Sequence, residues 1–250
     1  MMNGYLKPRH KYIITLFLIA TAILYMSYGT ALGTERINLN NMDGSGTLDD
    51  PYIITNIEEL QAMNNDLSAH YSLGADVNAA KTTNWNNGEG FDPIGSSRDD
   101  PFTGSFDGQD HVISNLSITR VSEDNIGLFG VVKGGNIHSV HLRNINIQGG
   151  SWCGGLVGDL SGSTLNSTTV TGDIYGAETV GGVAGLVADS NLQNVMTDVQ
   201  VVSTEGSIGG VAGAQGADST VFATVAHGKV SAENDYGGGM IGYLSPSAKK

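Results

Sequence analysis

His138 and His141 form a His-x-x-His pair, a spacing that suggests a metal site. On a strand, residues three apart point to opposite faces. The two imidazoles are therefore expected at solvated or core-edge positions, without an ion between them. The His-Glu-x-x-His pattern of zinc peptidases is absent. Asp49-Asp50-Pro51 and Asp99-Asp100-Pro101 each precede an aromatic residue, Tyr52 or Phe102. Paired acids of this kind protonate a glycosidic oxygen or hold Ca²⁺ in β-helical polysaccharide enzymes, but directly before Pro they read as turns leading into strands. Asp43-x-Ser45-x-Thr47-x-Asp49 begins like a Ca²⁺ loop, yet position twelve is Ile54, where a bidentate Glu is required. Phe106-Asp107-Gly108 with Asp110-His111 is the densest polar group. None of these patterns completes a catalytic, cofactor or metal set.

Two sequons, at Asn115 and Asn166, could accept glycans in an exported chain. Cys153 is the single cysteine, so no internal disulfide can form. Lying directly before Gly154-Gly155, it reads as a small apolar filler rather than a reactive thiol.

The elements that must carry these residues are set by a repeat. A Gly-apolar-apolar-Gly tetrapeptide begins at Gly127, Gly155, Gly182, Gly210 and Gly239 and closes at Gly130, Gly158, Gly185, Gly213 and Gly242. The steps are 28, 27, 28 and 29 residues, and a fixed period in this range marks a solenoid. Between tetrapeptides run alternating segments such as Leu165–Ile174 and Leu192–Val201, bounded by Gly, Ser, Asn and Asp. They read as short strands and turns, and no window of the repeats carries a 3.6-residue period.

A unit of 27–29 residues holding two or three strands fits one coil of a parallel β-helix. Stacked coils, about 4.8 Å apart, align equivalent positions into interior ladders. The expected ladders are Ile137/Leu165/Leu192/Val221, Ile147/Ile174/Val201/Val230 and Leu128/Leu156/Val183/Val211/Met240. The tetrapeptide glycines mark positive φ, or coils packed too closely for a Cβ.

Residues 34–120 differ from the repeats and read as an N-terminal cap and lead-in. Thr55-Asn-Ile-Glu58 is a capping box for one helix over residues 56–67, placed to cover the open edges of the first coil. Residues 81–100, rich in Asn, Gly and Asp, read as a loop. Before them, a basic segment, an apolar run from Ile13 to Met26 and small residues up to Gly33 describe a signal peptide over 1–33. An uncleaved N-terminal anchor is the alternative, although a spanning helix needs about 20 apolar residues.

The whole chain carries a net charge of −13. Residues 1–33 hold three of the 12 Lys and Arg and none of the 25 Asp and Glu, so the remainder carries −16. So acidic a surface argues against nucleic acid, whose phosphates require clustered Lys and Arg.

The tetrapeptide series resembles the GLUG repeats, named for Gly-Leu-apolar-Gly, of large bacterial and archaeal surface proteins. Gly44-Ser-Gly-Thr-Leu-Asp-Asp-Pro-Tyr-Ile-Ile-Thr55 and Tyr71-Ser-Leu-Gly-Ala-Asp-Val77 look like the lead-in to such arrays, as do Trp85, Pro93-Ile-Gly95, Phe102–Gly108 and His111–Leu116. The likeness covers residues 43–242; copies three to five depart by placing Val or Met after the first Gly. It implies a right-handed parallel β-helix, all-β, of about five coils with a short helical cap, on an exported or surface-attached protein. It implies no defined activity, and it makes Phe106-Asp107-Gly108 a scaffold turn.

The expected function is a non-enzymatic, secreted or cell-surface adhesion or spacer module, without cofactors. Its expected partners are envelope polysaccharide or neighbouring surface proteins. The alternatives are a polysaccharide-degrading β-helix or the repeat region of a larger surface peptidase. Repeats over 121–250 end shortly after the fifth tetrapeptide, so a truncated array or end-to-end self-association through residues 236–244 is expected.

Overall fold

The protein is described by a computed structural model covering residues 38–232 and 237–245. The signal peptide or anchor expected over residues 1–33 lies outside the described residues, as do residues 246–250.

Every ladder between the named strands is parallel, and the strands collect into three sheets. The first runs through Tyr52–Ile54, His70–Leu73, Ser105–Asp107, Asn136–Gly149, Thr164–Gly176, Asn191–Ser203 and Thr220–Phe222 in that order. Shorter strands pair alongside this path. The second holds Phe129–Lys133, Val157–Ser161, Ala184–Ala188, Ala212–Gln215 and Ile241–Leu244, one strand per turn. The third holds Cys153–Gly154, Val180–Gly181, Ile208–Gly209 and Gly237–Gly238. Three parallel sheets visited in rotation make a β-solenoid of about five turns, as the period requires.

The register gives the expected ladders. Ile137, Leu165, Leu192 and Val221 are consecutive partners, extended by Phe106 and Tyr71. Ile147, Ile174, Val201 and Val230 align likewise, extended by Ile118. Leu128, Leu156, Val183 and Val211 are fully buried, whereas Met240 is 39% exposed on the last described turn. At the other end the core is aromatic: Phe129 packs on Phe102 and Phe106 with ring centroids 5.0 and 5.5 Å apart.

The corners are made by residues in the left-handed region. One column is Ser139, Ser167, Asn194 and Ala223; another is Gly134, Gly162, Asp189 and Asp218. The tetrapeptide glycines are not among them. What they supply is close approach: a Cβ on Gly155, Gly182 or Gly210 would lie 2.6, 2.1 or 2.4 Å from the carbonyl oxygen of the equivalent glycine one turn on. The second glycines face back one turn, with a Cβ on Gly158 or Gly185 2.7 Å from the oxygen of Gly130 or Gly158. Of the two roles the sequence left open, the structure selects close packing over positive φ.

Four N-terminal expectations need correction. The helix is shorter than 56–67: α1 spans Ile57–Ala62 and passes into a 3-10 turn, Met63–Asn65. Its box is shifted by one residue. Asn56 is the N-cap, its Oδ1 accepting from the Glu59 N–H at 3.0 Å, while the Glu59 carboxylate accepts from Thr55 N–H and Oγ1 at 2.7 and 2.9 Å. Glu58, assigned to the box from sequence, instead pairs with Lys81.

The lead-in is also more than a cap, because Tyr52–Ile54, His70–Leu73 and Ser105–Asp107 are rungs of the first sheet. Residues 81–100 are likewise not all loop. Ile94 bridges Phe129 in parallel, and a Cβ on Gly130 would lie 2.8 Å from Gly95 O, so Pro93-Ile94-Gly95 forms a rung before the first tetrapeptide. α1 and the 3-10 turn after it close the edge beyond that rung with side-chain amides. Gln61 bonds both Asp92 N–H and C=O, and Asn64 Oδ1 accepts from Gly95 N–H at 3.0 Å.

Candidate functional site

The histidines and acids gather on the outer surface of the first sheet. His138 and His141 both reach solvent, rather than pointing to opposite sides as a straight strand would place them. Ser139, at φ 55°, turns the strand between them. His138 Nδ1 lies 3.1 Å from Asp107 Oδ1. His141 Nε2 lies 3.4 Å from Asp110 Oδ1, with its Nδ1 2.7 Å from Thr169 Oγ1. His111 Nδ1 is 3.1 Å from Asp76 Oδ1, which also accepts from Val112 N–H at 3.0 Å. Those two bonds hold the Asp76 carboxyl below the usual range, the backbone N–H contributing most. Each pair joins one turn to the next.

Thr169, His141 and Asp110 form a hydroxyl–imidazole–carboxylate line, the arrangement that activates a nucleophile. Asp110 is 80% exposed, however. The N–H groups of Gln109 and Asp110 are already committed to Asp107 Oδ1 and Ser139 O. The line joins one turn to the next. Among the described residues no three His, Cys, Asp or Glu are placed to hold a metal ion.

The other acid motifs are turns. Asp50 N–H donates to Thr47 O at 3.2 Å and Asp100 N–H to Ser97 Oγ at 3.1 Å. Asp107 Oδ1 accepts from Gln109 N–H at 2.9 Å. Both sequon asparagines sit in side-chain ladders. Asn115 donates to Asn78 Oδ1 at 3.1 Å and accepts from Asn144 at 2.7 Å, while Asn166 Oδ1 accepts from Asn194 at 3.0 Å. Cys153 is fully buried in a column with Ile126, Val180 and Ile208, and burial pushes its thiol up to about 12. It fills space and is not poised to react.

Two features escaped the sequence reading. Asp159 is 5% exposed in a column whose other members are Val131, Leu186, Ala214 and Tyr243. Arg98, from the loop after Gly95, reaches over to donate Nε–H to Asp159 Oδ2 at 2.8 Å, and its guanidinium lies 4.5 Å from the centre of the Trp152 ring. An acid standing alone in an apolar column was the available signal.

The second feature is a buried serine column. Ser163, Ser190 and Ser219 accept from the N–H groups of Gly135, Ser163 and Ser190 at 3.2, 3.0 and 3.3 Å. Each hydroxyl also donates to a carbonyl of its own turn, that of Ser161, Ala188 or Ala217. These positions keep the repeat spacing, which could have revealed them.

Residues 53–172 match the N-terminal region of the M26 IgA1-specific metallo-endopeptidases. Halomucin of Haloquadratum walsbyi is 41% identical over 206 residues, 80% of this chain and 2% of halomucin. The immunoglobulin A1 protease of Streptococcus sanguinis is 25% identical over 146 residues, 58% of this chain and 7% of the protease. The chain thus spans only a small part of either relative. A crystal structure of an immunoglobulin A1 protease-like protein from Bacteroides ovatus matches with a TM-score of 0.62, covering 80% of this chain and 76% of that one. At 19% identity this establishes the shared solenoid fold and nothing finer.

Proposed function

We propose that this chain is an extracellular β-solenoid module of GLUG type, a spacer or adhesive segment of a surface protein without catalytic activity of its own. The observation that carries this reading is the use made of the polar chemistry. The outer His–Asp pairs, the asparagine ladders and the buried serines all join turn to turn. Likeness to halomucin across most of the chain supports it. The acidic balance suits an exposed module that must stay soluble and spaced from its neighbours. The exposed rows of Thr, Asn and Asp are the surface for envelope polysaccharide or neighbouring proteins.

Incubation with acidic and neutral glycans tests the reading. Retention on envelope polysaccharide without cleavage is expected; reproducible release of oligosaccharides would overturn it.

A second reading, the repeat region of a larger surface peptidase, draws on the match of residues 53–172 to a peptidase N-terminal region. The reading frame downstream of Lys250 separates the two. A continuation carrying His-Glu-x-x-His favours the peptidase, and further repeats favour the spacer.

A further inference from the structure

Three Asp–Pro bonds occur in the chain, at 50–51, 92–93 and 100–101. The second has unusual surroundings. Its carbonyl oxygen, that of Asp92, accepts from two side-chain amides, Gln61 Nε2 of α1 at 2.8 Å and Asn64 Nδ2 of the 3-10 turn after it at 3.3 Å, the latter shared with Pro93 O at 3.3 Å. Asp92 N–H donates to Gln61 Oε1 at 2.9 Å, so one glutamine grips the residue on both sides. The Asp92 carboxyl group lies against the nearly buried Arg120, whose Nη2 is 3.5 Å from Oδ1. Glu89 and Glu123 share the same guanidinium, at 3.8 and 3.1 Å.

We propose that Asp92–Pro93 is a self-cleavage site, at which the Asp92 carboxyl group attacks its own main-chain carbonyl and releases Pro93 as a new N-terminus. In the attack a carboxyl oxygen bonds to the Asp92 carbonyl carbon, and the negative charge developing on the carbonyl oxygen falls between the Gln61 and Asn64 amides. The carboxyl proton passes to the Pro93 nitrogen as the C–N bond breaks, leaving a five-membered cyclic anhydride on Asp92 and a free secondary amine on Pro93. Water then opens the anhydride to two carboxyl groups. The balance needs no oxidant or cofactor.

The step requires the neutral acid. Partial burial, the largest influence, raises Asp92 above the usual carboxylate range although its side chain is 53% exposed; Arg120 opposes this, and Glu123 and Glu89 reinforce it. Mildly acidic buffer supplies the acid form. The two pieces stay together after cleavage, because His70–Leu73 remains paired with Ser105–Asp107 and Val77–Asn78 with Val112–Ser114 across the nick.

The test is mass spectrometry of the folded chain held in mildly acidic buffer, with the chain in strong denaturant as the reference. In the folded protein, cleavage at 92–93 is expected to run about tenfold faster than at 50–51 and 100–101, equivalent to about 1.4 kcal/mol of barrier. In denaturant the three bonds should cleave at similar rates. Asp92→Asn should abolish the folded-state cut, and Gln61→Met should return it to the denatured rate while circular dichroism stays unchanged. If Gln61→Met disturbs the fold, Asn64→Ala supplies the same readout with one donor removed. Cleavage at 92–93 no faster than at the other two bonds, or indifferent to loss of both amide donors, would overturn the proposal.

Discussion

Replacing Gly182 with alanine measures what holds the turns at their spacing. The backbone there is not left-handed, so alanine adds no conformational strain of its own. Its Cβ would lie 2.1 Å from Gly210 O and 3.0 Å from both Gly210 C and Val199 Cγ2. A comfortable carbon–oxygen contact is about 3.3 Å, so neighbouring turns must separate locally by about 1 Å. That separation strains the bonds from Gly182 N–H to Gly209 O, at 3.2 Å, and from Val183 N–H to Val211 O, at 2.9 Å. Each is worth about 1 kcal/mol, and forced overpacking costs about 1–3 kcal/mol. Against this stands a gain of about 0.4–1 kcal/mol from a stiffer unfolded chain. The net expectation is destabilisation by about 2–3 kcal/mol. Gly239 is the same motif position on the last described turn, yet among the described residues nothing lies within 4 Å of its Cβ site. There only the unfolded-state gain remains, so Gly239→Ala should be neutral or stabilise by up to about 1 kcal/mol. Urea unfolding of both variants beside the parent decides. Equal shifts, or a larger loss from Gly239→Ala, would refute close approach as the reason for the motif.

Leu156→Asp puts a charge into a fully buried ladder and should cost several kcal/mol. Gln193→Glu, on the exposed side of its strand, should cost under about 0.5 kcal/mol; similar melting shifts would contradict the inward assignment. Ser190→Ala leaves the Ser163 N–H buried without its acceptor and should destabilise by about 1–3 kcal/mol in the same assay. Asp76 has a lowered folded-state pKa, so its contribution is present above the unfolded value of about 4 and lost as pH falls below it. Asp76→Asn should therefore flatten the acid limb of stability against pH, and an unchanged limb would remove Asp76 from the stitch between turns.

The period and the apolar pattern made the solenoid legible because each ladder repeats one demand on side-chain type at every turn. Leu165 and Leu192 could be placed as partners from spacing alone, and the register bears that out. What stayed hidden depends on backbone conformation or on contacts between different positions of the repeat. The left-handed Ser139 turns His141 to the same outer surface as His138, which strand alternation by itself cannot foresee. The capping box slipped because Thr55 and Asn56 are both good caps, and only the contact of Glu58 with Lys81 leaves Glu59 to close the box.

Asp159 shows how such cases can still be read. Burying a carboxylate beside Leu160 and under Arg98 costs free energy unless a cation meets it, and its column neighbours Val131 and Leu186 show that the turn itself does not require an acid. A polar residue that breaks its column must therefore answer to something outside the column. Here that is a loop two turns back, whose Arg98 reaches forward past the intervening strand to clasp Asp159 and Trp152. Comparison down the columns, rather than along the chain, is where the departures from the repeat become visible, and each departure names a contact the repeat alone does not make.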